Sequence, residues 1–150
     1  MTFRTLVLLL ATVAAGLQAG TYYVWACGVM PGLARADDKT FVTALNHMNA
    51  AIVNPVFMLT FLGAPLLAGV ALVVGPGRGW ITAGLVLAVL TFLITVAGNV
   101  PLNDALTRAG SAHPGAAREA FESAWVRWNV ARTVTSTGAL AALGWAALRA

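Results

Sequence analysis

The stretch Gly98-Asn99-Val100-Pro101-Leu102-Asn103-Asp104 marks the point at which a long apolar run ends and the polarity of the chain changes abruptly. Two asparagines bracket a proline here, at the end of a segment that is hydrophobic enough to lie in a membrane. A side-chain amide is costly in hydrocarbon unless it has a hydrogen-bonding partner. We therefore expect Asn99 and Asn103 to form one wall of a small polar pocket at the end of a helical bundle.

The composition indicates an integral membrane protein. Of the 150 residues, 59% are hydrophobic and 9% are charged, and the mean hydropathy is +0.82. An ordinary soluble domain carries about 25% charged residues. Several apolar runs have about the 20 residues needed to cross the hydrocarbon core of a bilayer. We predict a single integral membrane domain over residues 1–150, in contact with membrane lipid and located in the cell membrane as a multi-pass protein.

The charged and metal-ligating residues exclude several classes of function. The net charge is +4, but the basic residues do not cluster as they do on a nucleic-acid-binding surface, so no nucleic-acid partner is expected. Cys27 is the only cysteine, and no Cys/His spacing is typical of a zinc site. We predict neither a metal nor a cofactor. A metal held by His47 with amide oxygens and a water is the alternative.

Four apolar segments predict an all-α fold, a bundle of four transmembrane helices. The predicted spans cover about 5–26, 52–74, 80–100 and 122–148. An additional amphipathic helix lies between spans one and two, because apolar residues recur at three- and four-residue intervals from Phe41 to Ile52. Val29-Met30-Pro31-Gly32-Leu33 is expected to stop the first helix. A tight loop at 75–79 makes spans two and three antiparallel neighbours.

The first apolar run, from about Leu6 to Trp25, has an alternative interpretation as a cleavable signal peptide. Arg4 precedes the run, and Leu17-Gln18-Ala19 resembles a cleavage site. The aromatic segment Thr21-Tyr22-Tyr23-Val24-Trp25 continues the helix and suits the interfacial region of a bilayer. These aromatics favour a helix that stays in the membrane.

Alternating span directions bring the unusual polar residues to one membrane face. The opposite face carries Arg4, Arg78 and Arg149, and the positive-inside rule then favours both termini in the cytoplasm. In the first span, Gly16 and Gly20 form a small-residue pair that lets a neighbouring helix approach closely. That pair leaves homo-oligomerisation open.

Two residues at the polar face have side chains suited to catalysis. His47 has an imidazole side chain, which can accept and release a proton as a general base must. Arg132 is a permanent cation with a planar fork, suited to stabilising an enolate or phenolate oxygen. The residues predicted to bind a hydrophobic small-molecule substrate have amide or flat indole side chains: Asn49, Asn54, Asn99, Asn103, Trp125, Trp128 and Asn129. Such residues also serve structural roles, since membrane asparagines and arginines hold helices together and interfacial tryptophans anchor them.

The sequence resembles the anthrone oxygenase-like family of small four-span membrane proteins. The resemblance covers nearly the whole chain and includes Gly20, Val29–Leu33 and the His47–Pro55 helix. Its most specific parts are Asn99-Val100-Pro101-Leu102-Asn103 and Trp128-Asn129-Val130-Ala131-Arg132. It implies a monooxygenase that oxidises an anthrone or another hydrophobic aromatic compound with dioxygen and without an evident cofactor.

If the activity follows the resemblance, His47 removes an acidic C–H proton and Arg132 holds the resulting oxyanion, with help from Asn99, Asn103 or Asn129. The competing interpretation is a non-catalytic membrane module that binds a lipid or quinone, or that supports a partner protein. The two interpretations differ in one structural requirement. Catalysis by this mechanism requires His47 and Arg132 to face one cavity within reach of a single ligand.

Overall fold

The apolar runs fold as helices, and the computed structural model describes residues 2–74 and 78–150. The elements in chain order are α1 (Phe3–Val24), a first π-helical segment (Trp25–Val29), α2 (Met30–Leu33), α3 (Asp38–Ile52), α4 (Pro55–Val73), α5 (Arg78–Ile94), a second π-helical segment (Thr95–Asn99), α6 (Val100–Ala109) and α7 (Pro114–Leu148). Within the described residues there is no strand, so the predicted all-α class is confirmed. Residues 75–77 of the predicted tight loop lie outside the described residues, while Arg78 and Gly79 begin α5.

Among the residues that the structure describes, three helical stretches are long and apolar enough to cross a membrane. They are Phe3–Leu33, Pro55–Val73 and Arg78–Ala109, and they correspond to the first three predicted spans. The fourth predicted span lies within α7, whose hydropathy is reduced by Arg132 and by the hydroxyl residues that follow it. Helix α7 nevertheless packs along both α1 and α5.

The predicted stop at Val29-Met30-Pro31-Gly32-Leu33 is confirmed only at its end, because the helix continues through Pro31 and ends at Leu33. One π-helical segment precedes Met30-Pro31, and the other precedes Val100-Pro101. In each, the N–H of the residue before the proline reaches a carbonyl five residues back. Proline has no N–H to donate, and its ring crowds the preceding turn. The wider π turn accommodates the proline without ending the helix.

A further break lies at Asn54-Pro55, so the second apolar helix begins at Pro55 rather than at Ile52. The Asn54 Oδ1 accepts a hydrogen bond from the Phe57 N–H at 3.0 Å, which caps α4. The Asn54 Nδ2 donates to the Ala51 carbonyl at 2.9 Å, which ties the cap to the end of α3. Pro55 stands in the first turn of α4, where its missing N–H has no partner to lose.

The core has an aromatic end and an alanine-rich middle. The aromatic end joins α2, α3, α6 and α7 and contains Met30, Phe41, Leu45, Leu106, Phe121 and Trp125. The alanine-rich part joins α1, α4 and α7 and contains Ala11, Ala15, Ala64, Ala68 and Leu143. Small side chains let helices approach closely in a membrane bundle. A cavity borders the aromatic end of the core at Trp25 and Trp125.

Arg118, in the first turns of α7, holds the loop between α2 and α3 in place. Its terminal nitrogens donate to the carbonyls of Ala34 and Ala36, at 2.9 Å each. It forms ion pairs with Glu122 at 2.8 Å and Asp38 at 3.1 Å. The hydrogen bond to Glu122 raises the pKa of the Arg118 guanidinium above its ordinary value. Arg118 therefore has protein partners around its whole guanidinium.

Candidate functional site

A cavity of about 230 Å³ lies between α1, the junction of α3 and α4, the second π-helical segment and α7. Its aromatic lining residues are Tyr22, Trp25, Phe57, Phe61 and Trp125. Its polar lining residues are Thr21, Asn49, Thr95, Asn103 and Arg132. Ligand sites are commonly apolar concavities with a few polar groups that orient the ligand. This cavity has that composition, and both π-helical segments contribute to its walls.

Among the described residues that line the cavity, Arg132 is the only one with a charged side chain. The residue is 8% exposed. Its guanidinium carbon lies 4.4 Å from the ring centroid of Tyr22 and 5.1 Å from that of Trp125. Cation–π contacts of this kind stabilise a guanidinium in an apolar setting without neutralising its charge.

The guanidinium of Arg132 keeps most of its hydrogen-bonding capacity unused. Its Nε donates to the Asn129 Oδ1 at 3.0 Å. Across residues 2–74 and 78–150, its terminal nitrogens make no hydrogen bond to protein, and no carboxylate forms an ion pair with it. A buried charge without a partner is costly. The arrangement suits a ligand that brings an anionic or strongly dipolar oxygen to the terminal nitrogens.

Asn129 positions this arginine and does not itself line the cavity. It is 1% exposed, and its Nδ2 donates to the backbone carbonyl of Tyr22 at 3.1 Å. Its Oδ1 is the acceptor for Arg132. One amide therefore connects α7 to α1 and fixes the orientation of the guanidinium between them.

Two further amide side chains, those of Asn49 and Asn103, line the cavity. The Asn103 Oδ1 accepts a hydrogen bond from the Trp125 Nε1 at 2.8 Å, which directs its oxygen toward the indole. The Asn49 Nδ2 is buried and has no partner among the described residues. The described lining residues include no carboxylate, imidazole or thiol. In the same described ranges no group of three or more His, Cys, Asp or Glu residues could hold a metal ion. The site is therefore rich in donors and electropositive.

The structure does not bring His47 to this cavity. His47 is exposed and borders a shallow surface groove with Lys39 and Thr43. Helix α3 packs on the core through the face that contains Leu45. His47 lies about 200° around the helix from Leu45, because successive residues are rotated by about 100°. The predicted pairing of His47 with Arg132 in one cavity is therefore absent from the structure.

Three other predicted site residues have structural contacts and do not border the cavity. Asn99 is fully buried, and its Nδ2 donates to the Trp125 carbonyl at 3.3 Å. Trp128 is exposed and packs on Gly98, where an added Cβ would come within 2.5 Å of the indole ring. Asn54 caps α4. Of the nine predicted site residues, the cavity is lined by Asn49, Asn103, Trp125 and Arg132.

Sequence reasoning missed the contribution of the first helix. Tyr22 and Trp25 were assigned to the membrane interface, yet both line the cavity. The Trp25 and Trp125 ring centroids are 5.2 Å apart. A signal was present in the spacing of Gln18 and Tyr22, since residues four apart share a helix face. The Tyr22 hydroxyl donates to the Gln18 Oε1. Because Gln18 was expected to face the bundle interior, its spacing from Tyr22 indicates that the Tyr22 side chain faces the interior too.

Comparison with known proteins gives one match. The sequence model of the family described as anthrone oxygenase matches residues 41–142, which is more than half of the chain. No curated protein and no solved structure matches the chain. The matched range begins in α3 and ends in α7. It contains the four predicted residues that line the cavity, while Tyr22 and Trp25 precede it.

Proposed function

Since the chain belongs to the anthrone oxygenase family, we propose that it is a multi-pass protein of the cell membrane that oxidises a hydrophobic aromatic substrate of the anthrone type with dioxygen. One observation carries the proposal. The guanidinium of Arg132 is buried, borders the cavity and has no carboxylate partner within the described residues. An oxyanion that develops on the substrate supplies the missing partner.

The proposal includes α7 as a fourth membrane span. A helix of 35 residues is about 52 Å long, which exceeds the thickness of a bilayer core. Its polar residues Asn129, Arg132 and Ser136 are buried among the other helices. A span whose polar groups face the bundle interior needs less overall hydropathy than one exposed to lipid on all sides. With α7 included, the proposed architecture is a bundle of four transmembrane helices.

The shape of the cavity supports a flat ligand. Rings of Tyr22, Trp25 and Trp125 form much of its wall, and aromatic rings stack in offset or edge-to-face arrangements. The volume of about 230 Å³ is slightly below the range of roughly 300–1,000 Å³ for drug-sized ligands, which suits a compound of two or three fused rings. Val53 and Val96 are exposed apolar residues at its border. A hydrophobic substrate enters there from the bilayer.

The proposed chemistry begins with loss of a proton from the CH₂ group of a bound anthrone. The negative charge moves to the carbonyl oxygen, which accepts hydrogen bonds from Arg132 and from the Asn49 or Asn103 amide. Stabilising this enolate makes the C–H group more acidic, so the proton passes to solvent water. The carbanionic form reacts with dioxygen to give a peroxide anion at the same carbon, which takes a proton back from water to become a hydroperoxide. Loss of water leaves a ketone, so that CH₂ and O₂ become C=O and H₂O. His47 takes no part, because it does not border the cavity.

One observation favours a second candidate function. Among the described residues, none that lines the cavity is a general base that titrates near neutral pH. A module that binds a quinone without converting it needs the aromatic walls and the donors, but no base. Binding of a quinone without any oxidation of an anthrone is the result that this second function predicts.

The test is an oxidation assay with purified protein in detergent, anthrone and dioxygen. Oxygen consumption and quinone absorbance report the reaction. We expect the Arg132→Gln variant to be at least about 100-fold slower than the wild type, as for loss of a donor that stabilises an oxyanion. Arg127→Gln is the matched control, because Arg127 is exposed on the same helix. A wild-type rate equal to that of protein-free detergent contradicts the oxygenase proposal.

A further inference from the structure

Asn49 is a polar side chain on an otherwise apolar wall of the cavity. It lies one turn after Leu45, which is fully buried in the core, so the two residues share the face of α3 that points inward. The other residues that line the cavity at the α3–α4 junction are apolar, namely Ile52, Val53, Phe57 and Met58. Among the described residues at this junction, Asn49 therefore presents the only amide to a ligand.

The amide nitrogen of Asn49 has no partner in the protein. Its Nδ2 is buried and makes no hydrogen bond within residues 2–74 and 78–150. The preceding amide on the same helix, that of Asn46, differs in this respect, because its Oδ1 accepts a hydrogen bond from the Thr107 hydroxyl at 3.1 Å. A buried donor without an acceptor destabilises a protein, and an acceptor atom on a bound ligand removes that cost.

Asn103, the other amide that lines the cavity, belongs to a different group of contacts. Its Oδ1 accepts a hydrogen bond from the Trp125 Nε1 at 2.8 Å, and the centroid of the same indole lies 5.1 Å from the guanidinium carbon of Arg132. Asn103 and Arg132 therefore meet around one tryptophan, where the ketone oxygen of the proposed substrate binds. Asn49 reaches the cavity from α3 and makes no hydrogen bond to this group in the described structure. The cavity thus has a second polar position.

We propose that Asn49 determines substrate specificity by binding a second oxygen of the ligand, a hydroxyl group on one of its rings. A hydroxyl both accepts and donates hydrogen bonds, so it can pair with the N–H and with the oxygen of an amide, whereas a ketone only accepts. The substrate class is then a hydroxylated polycyclic aromatic ketone. A site whose polar group is left unpaired by an analogue discriminates against that analogue. The reaction of such a compound rests on the proposed function, whereas its selective binding does not.

The first test uses fluorenone, a flat tricyclic ketone, and its monohydroxy isomers. Fluorenone has a single oxygen and no CH₂ group, so binding is measured without oxidation. Quenching of the fluorescence of Trp25 and Trp125, which line the cavity, reports the affinity at about pH 6, where a phenol is neutral. With the wild type we expect at least one isomer to bind about tenfold more tightly than fluorenone, as one additional hydrogen bond allows. Equal affinities for fluorenone and all of the isomers would overturn the inference.

Asn49→Leu and Asn46→Leu form a matched pair of variants on α3. Both replace an amide by an apolar side chain, but only Asn49 lines the cavity. In Asn49→Leu we expect the preferred isomer to lose its advantage, while fluorenone binds at least as tightly as before because an unpartnered donor is gone. Asn46→Leu should keep the advantage. Binding of fluorenone shows that each variant is folded, and an advantage that survives in Asn49→Leu would overturn the assignment.

Kinetics then separate this inference from the proposed function. Oxidation is compared for anthrone and for the monohydroxyanthrone whose hydroxyl matches the preferred isomer. We expect the wild type to have the larger kcat/KM for the hydroxylated compound, and the ratio of the two values to fall to about one in Asn49→Leu. If neither compound is oxidised but the isomer preference depends on Asn49, the oxygenase proposal fails and the specificity role stands. If both compounds are oxidised with the same kcat/KM in the wild type, the specificity role fails and the oxygenase proposal stands.

Discussion

Two arginines on α7, Arg118 and Arg132, use the same side chain in opposite ways. Arg118 makes ion pairs with two carboxylates and donates to two backbone carbonyls. Arg132 donates one hydrogen bond, to the amide of Asn129, and lies against two aromatic rings. Arg118 stands at the end of the bundle, near solvent, whereas Arg132 is buried beside the cavity.

The difference indicates which arginine has N–H donors available to bind a ligand. A guanidinium has five N–H donors, and Arg118 directs its donors to protein acceptors that join α7 to the loop before α3. The terminal donors of Arg132 have no acceptor in the described part of the protein. We infer that Arg118 contributes to stability and that Arg132 contributes to binding of an anion. Stability and activity should therefore respond oppositely to loss of the two side chains.

The largest effect is expected for Arg132→Met. Loss of the cation should slow anthrone oxidation by at least about 100-fold, because nothing else in the described lining stabilises an oxyanion by charge. The free energy of unfolding should stay within about 1 kcal/mol of the wild type or rise, since an apolar side chain replaces a buried charge that has no carboxylate partner in the described residues. Oxygen uptake and thermal unfolding in the same detergent measure the two effects. A variant that loses stability and activity together would remove the distinction between the arginines.

Arg118→Met should give the opposite result. The variant leaves two carbonyls and two carboxylates without their cation, and we expect a loss of about 2 kcal/mol in the free energy of unfolding. Activity per folded molecule should stay within about twofold of the wild type, because Arg118 does not border the cavity. Circular dichroism during heating gives the stability, and the assay is run well below the unfolding temperature. A large loss of activity in folded Arg118→Met would contradict the assignment.

A smaller effect on ligand affinity is expected at Tyr22. Tyr22→Leu removes the ring beneath the guanidinium, which should weaken binding of a hydroxyanthraquinone by about tenfold. Tyr22→Phe is the control, because it keeps the ring and removes only the hydroxyl that donates to Gln18. Quenching of tryptophan fluorescence reports binding, since Trp25 and Trp125 line the cavity. Equal affinities for the two variants would show that the ring is not needed.

The smallest effect is expected for His47→Ala. His47 is exposed and lies outside the cavity, and substitutions at such positions usually change free energies by less than about 0.5 kcal/mol. The oxidation rate should stay within about twofold of the wild type, and its pH dependence between about pH 5.5 and 8 should be the same. A loss of activity or an altered pH profile would restore His47 as the general base.

The helical fold could be predicted from the sequence because hydropathy and apolar spacing determine it locally. Three of the predicted spans correspond to helices long enough to cross a membrane. The break between α3 and α4 was misplaced, because Asn54 was interpreted as a ligand-binding residue and acts as a helix cap. The first helix was expected to stop at Val29–Leu33, but a π turn accommodates Pro31 and the helix continues to Leu33. Such turns depend on packing and have no simple pattern in a single sequence.

The site was predictable only in part, for a geometric reason. Arg132 was selected because a permanent cation two turns inside an apolar helix is energetically costly and indicates a functional role. The structure shows that it lines the cavity. His47 was selected because its imidazole can act as a base. The orientation of its side chain, however, depends on which face of α3 packs on the core. Tyr22 and Trp25 looked like interfacial aromatics, but both line the cavity, and Trp25 packs against Trp125. Residue type was informative about chemistry, whereas helix rotation determined which residues meet.

The most direct test of the central claim is the ionisation of a bound ligand. A monohydroxyanthraquinone changes colour when its phenol loses a proton, so its pKa can be read by absorbance in the presence of the protein. With wild-type protein we expect this pKa to be lower than in detergent alone by about one to three pH units, because a buried cation favours the phenolate. With Arg132→Gln we expect no such decrease. A bound phenol that ionises at the same pH in wild type and Arg132→Gln would contradict the claim that Arg132 holds an oxyanion.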